Sequence, residues 1–579
     1  MSDLEASTPG LQAPAGGPEA TTPVDGLPRT VVEPPAPEGR RRWPGLLLAA
    51  GICVAFVALS AVLSVTRSGN LGKPVTFDFG NYEYYSGFGA LHGFRGPMAL
   101  PGQWETYLDA QLNSIYYLLI IHLSPRRAVY SIAFLQSLCA SVLAICVWRG
   151  VQAATGRRMA AVFAGLVAGA GAFLSPIFRV ELGETSSDVL LPLLLFAAAA
   201  LLYRIVSAPG PGRRAFAYAA LAGVLLGLAS ELKFTEAAFS VAILLAFGVA
   251  LLLARSRAAW TYRRCAALVA AVAVPAVVVA VALYLPMGLM LWHRYHDPLF
   301  PFYNGLFHSP DLRPGDFSIG YAAKSPAGLF EHLRGLLGGK NLQNGFYGTP
   351  EKSPVLFFGL VIVAVMLVVD LVRRDKPQAI FLEISFLAGF VLWAVVLGFY
   401  RYLAPLEMSA AAVVVMLVAL HRVPREALFA GIACAVVLSP LYSVMPPLGT
   451  RGEFGPTYLE VTPKAFRDLS GAGVVLASGG PLGFLTPDLP ANTEIVRAGG
   501  QLELAMSKTW WRRVAYTVQH SHRTWWVVYA SVFRPPPGKA VPEALRQLGF
   551  PGSYHSCHIV KNAVAYLHAC LVTPATTRS

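Results

Sequence analysis

Eleven long apolar runs, near 44–66, 128–148, 160–177, 189–206, 216–231, 236–254, 265–288, 355–372, 379–398, 403–420 and 427–447, leave this chain few ways to fold. Most are long enough, at about 1.5 Å per helical residue, to cross roughly 30 Å of hydrocarbon. A bilayer offers no water to backbone N–H and C=O groups, so runs of this kind pair them internally as helices. With 55% hydrophobic and 13% charged residues in 579, the chain reads as mainly α, a polytopic membrane helical bundle.

The formal charge of +14 would suggest nucleic acid in a soluble chain. Here the basic residues fall in alternate short loops: Arg40 to Arg42; Arg149, Arg157 and Arg158; Arg204, Arg213 and Arg214; Arg255, Arg257, Arg263 and Arg264; Arg373, Arg374 and Lys376; Arg422 and Arg425. By the positive-inside rule these loops are cytoplasmic, which accounts for the charge without a nucleic-acid partner. Eleven spans then place the N-terminus inside and the C-terminus outside. Residues 1–39 hold eight Pro and five Gly, so 1–43 reads as a disordered cytoplasmic tail ahead of a transmembrane region 44–448. The outer side receives 67–127, 178–188, 289–354, 399–402 and everything after 448.

Residues 449–579 change character. Turn clusters such as SGGPLG and RPPPGK separate β-rich runs at 474–478, 524–531 and 563–572, the pattern of a small extracytoplasmic α/β domain. Cys53, Cys139, Cys146, Cys265 and Cys434 sit in or beside apolar runs, where a thiol acts as a small hydrophobe. Cys557 and Cys570 lie outside the cytoplasm in this topology and suit a disulfide closing a loop of about fourteen residues, worth about 3 kcal/mol at best.

Chemistry is therefore sought on the outer side. In FDFGNYEYY, 77–85, a helix puts Asp78, Asn81, Tyr82 and Tyr85 on one face and turns Glu83 away. Asp78 is then a carboxylate among groups that orient a hydroxyl; the alternative is an interfacial aromatic belt with an acid facing water. Glu181, Glu184 and Asp188 in RVELGETSSD can also share a helical face and suit a divalent cation or a sugar, unless the segment is a solvated loop capping the next helix. Lys233, between Glu231 and Glu236 in ELKFTE, either meets an anionic lipid phosphate or pairs with one of those neighbours. Arg401 in RYLAP grips a phosphate or snorkels to headgroups. The segment LWHRYHDPLFPFYN, 291–304, offers His293 and Arg294 on a proline-stiffened surface loop, as cations for a phosphate or as ordinary interfacial dressing. His520 with His522, and His555 with Cys557 and His558, have metal-like spacings but form no recognised ligand set. No Walker A loop, GxSxG elbow or HExxH helix occurs.

The segments FDFGNYEYYSGFGALHG, PGQWETYLDAQL, LASELKFT, LWHRYHDPLFPFYN and RYLAPLE, in an order of first span, outer loop with an early Asp, surface segment and second span, resemble the GT-C superfamily of membrane glycosyltransferases. The likeness is to the bacterial branch related to glycosyltransferase family 87. It implies transfer of a hexosyl or pentosyl group from a polyprenyl-phosphate donor to a lipid or glycan hydroxyl on the non-cytoplasmic face, with inversion. Asp78 matches the acid that serves that superfamily as base, and Lys233, Arg401, His293 and Arg294 are the matching cations for the phosphate. No cofactor is required by this reading, although a divalent cation is compatible with it. The rival reading is a secondary transporter or lipid-handling protein, which predicts repeats and broken helices near the midplane.

Overall fold

The structure, a computed structural model, describes residues 43–66, 72–210, 212–254, 260–317, 321–338, 351–374, 376–421, 425–443, 449–461, 466, 469–477, 480–531, 545–546, 548–550, 554–564 and 566–572. The expected tail up to residue 42, the basic residues Arg255, Arg257 and Arg422, and 318–320 and 339–350 of the long outer loop lie outside the described residues. Residues 1–48 form one unit, of which the start of the first helix is described, and residues 49–579 form the second, which holds every other element.

Each apolar run forms a helix: α1 (Trp43–Thr66), α2 (Pro125–Thr155), α3 (Arg158–Phe173), α4 (Pro192–Val206), α5 (Arg213–Leu232), α6 (Glu236–Ala254), α7 (Tyr262–Tyr295), α8 (Pro354–Arg373), α9 (Pro377–Val396), α10 (Ala404–His421) and α11 (Arg425–Tyr442). Among the described residues seven helices, α2, α5 to α9 and the 400–421 stretch containing α10, are long and apolar enough to span a membrane; α1, α3, α4 and α11 supply shorter apolar stretches. α2, α4, α8 and α9 begin with proline at the first position, where the missing N–H costs nothing and φ is already helical. α5 and α6 are separate helices, because Lys233 leaves the helical region at φ −154°.

Seven strands among the described residues lie outside the bundle. β1 (Lys73–Thr76) pairs antiparallel with β2 (Gly449–Gly452), Lys73 opposite Gly452 and Thr76 opposite Gly449. β3 (Gly473–Ala477), β4 (Glu494–Ala498), β5 (Trp525–Ser531), β6 (Tyr554–Val560) and β7 (Tyr566–Val572) make a mixed sheet in the order β4-β3-β5-β7-β6. β3 runs parallel to β4 and β5, while β7 runs antiparallel to both β5 and β6. Cys557 and Cys570 on β6 and β7 are disulfide-bonded. That bond removes Cys557 from any metal set with His558, and the side chain of His555 lies outside the described ones. His520 is exposed, stacked on Tyr516 and bonded to its carbonyl.

Both faces of the sheet are covered. One packs Val475, Val496, Trp525 and Val527 against an amphipathic helix, Lys508–His520, and against Trp104, Tyr107, Leu291 and Tyr295. The other packs Val474, Leu476, Val528 and Ala569 against Phe79, Tyr84, Tyr117 and Val129. Residues 79–120 therefore share both cores with the C-terminal sheet. At about 25 cal/mol per Å² of apolar surface, such shared burial fixes the backbone around residues 77–109 more firmly than a free membrane loop could.

Candidate active site

The site begins where β1 ends. Phe79–Glu83 is a single π-helical turn that follows Asp78 and is continuous with the helix Tyr84–His92. The turn redirects the side chains of FDFGNYEYY. In an α-helix, five residues at about 100° each set Glu83 roughly 140° from Asp78; an i→i+5 turn brings it back over Asp78. The expectation that Glu83 points away is thus corrected. Glu83 is 6% exposed, accepts a short hydrogen bond from the Thr185 hydroxyl, and lies near enough to Asp78 to feel its charge. Burial first, and Asp78 second, push the Glu83 carboxyl up to about 8.

The expected companions of Asp78 turn elsewhere. Asn81 donates to Glu105 Oε2 at 2.6 Å and to Gly102 O, and its oxygen accepts from Gln103 Nε2. Tyr85 accepts from the Arg95 backbone N–H at 3.0 Å. Tyr82 is buried against Gly102. Asn81 and Tyr82 hold the 102–105 turn, Tyr85 holds the chain at Arg95, and none of the three bonds Asp78.

Arg401 is the hub. It sits 6% exposed in the 3-10 turn Tyr400–Leu403, with Nη1 2.6 Å from Asp78 Oδ2, Nε 2.9 Å from Asp188 Oδ2 and 4.0 Å from Glu181 Oε1. The turn is held from three sides. Gly398 takes φ +65° in a space where a Cβ would sit 2.1 Å from the Tyr321 carbonyl, so the chain bend ahead of Arg401 requires glycine. Trp393 Nε1 donates to Phe399 O at 2.8 Å. Tyr400 donates to Glu407, whose other oxygen accepts the Ile177 N–H, tying the turn to the short helix Pro176–Glu181.

Lys233 pairs with neither Glu231 nor Glu236. Its Nζ lies 2.5 Å from Asp188 Oδ1 and 5.3 Å from the Tyr402 ring. Burial alone would make the ammonium easier to deprotonate, and Asp188 more than reverses that. Asp188 therefore bridges the two buried cations. Residues 181–188 are not one helical face: the short helix ends at Glu181, and Gly183 at φ +79° turns the chain out of it. Gln136, a polar residue inside α2, shapes the loop by accepting from Gly183 N at 2.7 Å and donating to the carbonyls of Glu181 and Glu184. Glu184 consequently faces Arg451 on β2 at 3.5 Å, while Glu181 is fully buried beside Arg401. Burial, then Asp188, raises the Glu181 carboxyl, and burial lifts Asp109 to about 6.

His293 is exposed, and Arg294 is committed to structure, donating to the carbonyls of Phe94 and Arg95 and to the Tyr107 hydroxyl. Arg294 thus clamps residues 94–107 onto the end of α7. Prolines 275 and 286 lie within α7, which ends at Tyr295, so the irregular stretch starts later than the composition suggests.

Asp78, Glu83, Asp109, Glu181 and Asp188 thus surround two cations. Among the described residues no three of these carboxylates converge within metal-ligand distance of one another, and Arg401 occupies the space between Asp78 and Asp188 where an ion would sit. Most of the cluster is sealed. The Asp78 side chain is 20% exposed, against 1% for Asp188 and 0% for Glu181, so among the acids paired with Arg401 it is the one that reaches solvent.

The bundle and the sheet together have a fold shared with ArnT, and the chain is a multi-pass membrane protein. The fold is similar to that of ArnT from Cupriavidus metallidurans in the apo state, with 14% identity, a TM-score of 0.50, and 90% of this chain and 98% of that chain covered. ArnT bound to undecaprenyl phosphate aligns over the same shares with 12% identity and a TM-score of 0.47. The oligosaccharyltransferase of Archaeoglobus fulgidus in its apo form aligns at 13% identity and a TM-score of 0.42, over 83% of this chain and 69% of that one. No family model and no curated protein sequence matches the chain.

Proposed function

We propose that the protein is a glycosyltransferase that moves a sugar from a polyprenyl-phosphate donor to an acceptor hydroxyl on the non-cytoplasmic face of the membrane, with Asp78 as general base. The observation that carries this reading is the pair of buried cations, Arg401 and Lys233, joined through Asp188 directly behind Asp78, the most accessible of the carboxylates paired with Arg401. A lipid phosphate leaves as an anion, so it needs charge stabilisation and no proton. Arg401 and Lys233 supply that charge where little water competes. The phosphate displaces Asp78 from Arg401, and the freed carboxylate takes the proton from the attacking hydroxyl as the new glycosidic bond forms. Acceptor oxygen and departing phosphate lie on opposite sides of the anomeric carbon in such a displacement, which inverts it.

A lipid-borne substrate also suits the interior. An apolar cavity of about 830 Å³ runs between α2, α4, α5, α6, α9 and α10, from Pro405 and Leu406 just beyond Arg401 to Arg149 and Arg204, room for part of a prenyl chain. The orientation, with the N-terminus cytoplasmic and residues 449–579 outside, follows from the basic loops and belongs to the same proposal. Purified Asp78→Asn protein that retains its fold is expected to lose transfer from polyprenyl-phosphate sugars by about 100-fold or more, the scale of positioned acid–base catalysis. Undiminished transfer would remove Asp78 from the mechanism.

A further inference from the structure

A second buried polar cluster lies at the far end of α10. His421 is the last residue of this helix, twenty residues beyond Arg401, or about 30 Å along the axis. Its Nε2 lies 2.8 Å from Asp370 Oδ2 in the last turns of α8, and its Nδ1 lies 2.9 Å from Lys376 Nζ, just before α9. Glu383, from the second turn of α9, completes the group. One donor atom each from Asp370, Glu383 and His421 lies within 4.8 Å of the others. Asp370 and Glu383 are fully buried, and apart from a proton shared between their two carboxyls, Asp370 Oδ1 and both oxygens of Glu383 have no hydrogen-bond partner among the described residues.

Two buried carboxyls that find hydrogen-bond partners chiefly in each other are costly among apolar helices. Lys376 does not fully meet this cost: its charge helps, but its hydrogen bond goes to the imidazole. A divalent cation would. One imidazole nitrogen with carboxylate oxygens, and no thiolate, is a donor set for a transition-metal dication of the zinc or manganese kind; an all-oxygen shell of six or more ligands, as calcium prefers, is not present among the described residues. We propose that Asp370, Glu383 and His421 bind one such metal ion, clasping the ends of α8, α9 and α10. Bonds of about 2.0–2.2 Å set tetrahedral ligands roughly 3.4 Å apart, so Glu383 must swing inward from the present spread. Coordination through Nε2 moves the imidazole proton to Nδ1, and Lys376, half-exposed, withdraws toward solvent.

The site is independent of the transfer chemistry, and the test reads metal content. Full-length protein without a polyhistidine tag is stripped with chelator, titrated with Zn²⁺ alone and assayed for bound zinc and thermal midpoint. The expected result is about one equivalent per chain with a raised midpoint. Glu383→Gln, which keeps the shape, weakens uptake by about tenfold or more, and His421→Gln does the same. Lys376→Gln strengthens it, because the competing ammonium is gone, and this variant needs no buried group replaced. Absence of uptake by the unaltered chain, or uptake indifferent to all three substitutions, overturns the proposal.

Discussion

Replacing Arg401 by Ala tests whether the acid cluster depends on one guanidinium. In the native protein this group is 6% exposed and touches Asp78 at 2.6 Å and Asp188 at 2.9 Å. Its removal leaves Asp78 without its partner and Asp188 with Lys233 alone, beside a Glu181 already buried without a hydrogen bond. Removing one member of a buried ion pair costs about 3–5 kcal/mol, most of it the penalty of the charge left behind. Neutralising that charge should recover part of the loss. The double variant Arg401→Ala/Asp78→Asn is therefore expected to be more stable than Arg401→Ala, with a coupling of roughly 1–3 kcal/mol. Arg401→Lys should fall between, since a point ammonium cannot span both carboxylates as the planar fork does. Unfolding midpoints in mixed micelles of increasing denaturing detergent, with native, single-variant and double-variant proteins side by side, supply the cycle. The reasoning fails if Arg401→Ala lies within about 0.5 kcal/mol of the native protein, the range of an ordinary surface change, or if the two substitutions add.

Three further outcomes are expected. The Glu83 carboxyl is raised from 4.5 to about 8, so the folded protein holds a proton that the unfolded chain releases; this contribution is intact below about pH 4.5 and is lost as pH rises to about 8. Glu83→Gln should therefore flatten the fall in thermal midpoint between about pH 5 and 8.5, measured against the native protein. Gln136→Leu removes the bonds that shape 181–186, each buried loss worth about 1–3 kcal/mol, and should lower transfer more than expression; unchanged transfer rates would show that Gln136 does not set the loop. Cys557→Ser with Cys570→Ser opens a link across thirteen residues and should destabilise the sheet by up to about 3 kcal/mol, seen as faster proteolysis after residue 448.

The helices are legible in the sequence because a run of some twenty apolar residues has one solution in lipid. Arg401 and Lys233 are visible for the converse reason, as charges at the ends of such runs. Direction is harder to read. A 3.6-residue period carried through residues 79–83 turns Glu83 to the wrong face, because that turn is π-helical. The same period groups Asn81 and Tyr85 with Asp78, whereas Glu105 and Arg95 bind them through a turn invisible to periodicity. Asp188 stands out in sequence only as a helix cap or one acid of three; its bridging of Lys233 and Arg401 depends on contacts between distant helices. Gln136 carries a readable signal, a lone amide inside an apolar run, to which helical spacing gives no weight. β1 and β2, four residues each, hold too short a pattern to be found, and their pairing joins distant parts of the chain.

That pairing orders events in time. β1 leads directly into Asp78, yet its partner strand follows α11, the last helix of the bundle. Strand pairing over such a separation is slow to form. A ribosome that has finished Asp78, Asp188 and Lys233 has made most of the acid cluster, but Arg401 and then β2 are still to come. During synthesis the nascent chain can thread every earlier helix into the bilayer without assembling a working centre. A product truncated before residue 449 lacks β2, and the strand that leads into Asp78 is left without its partner.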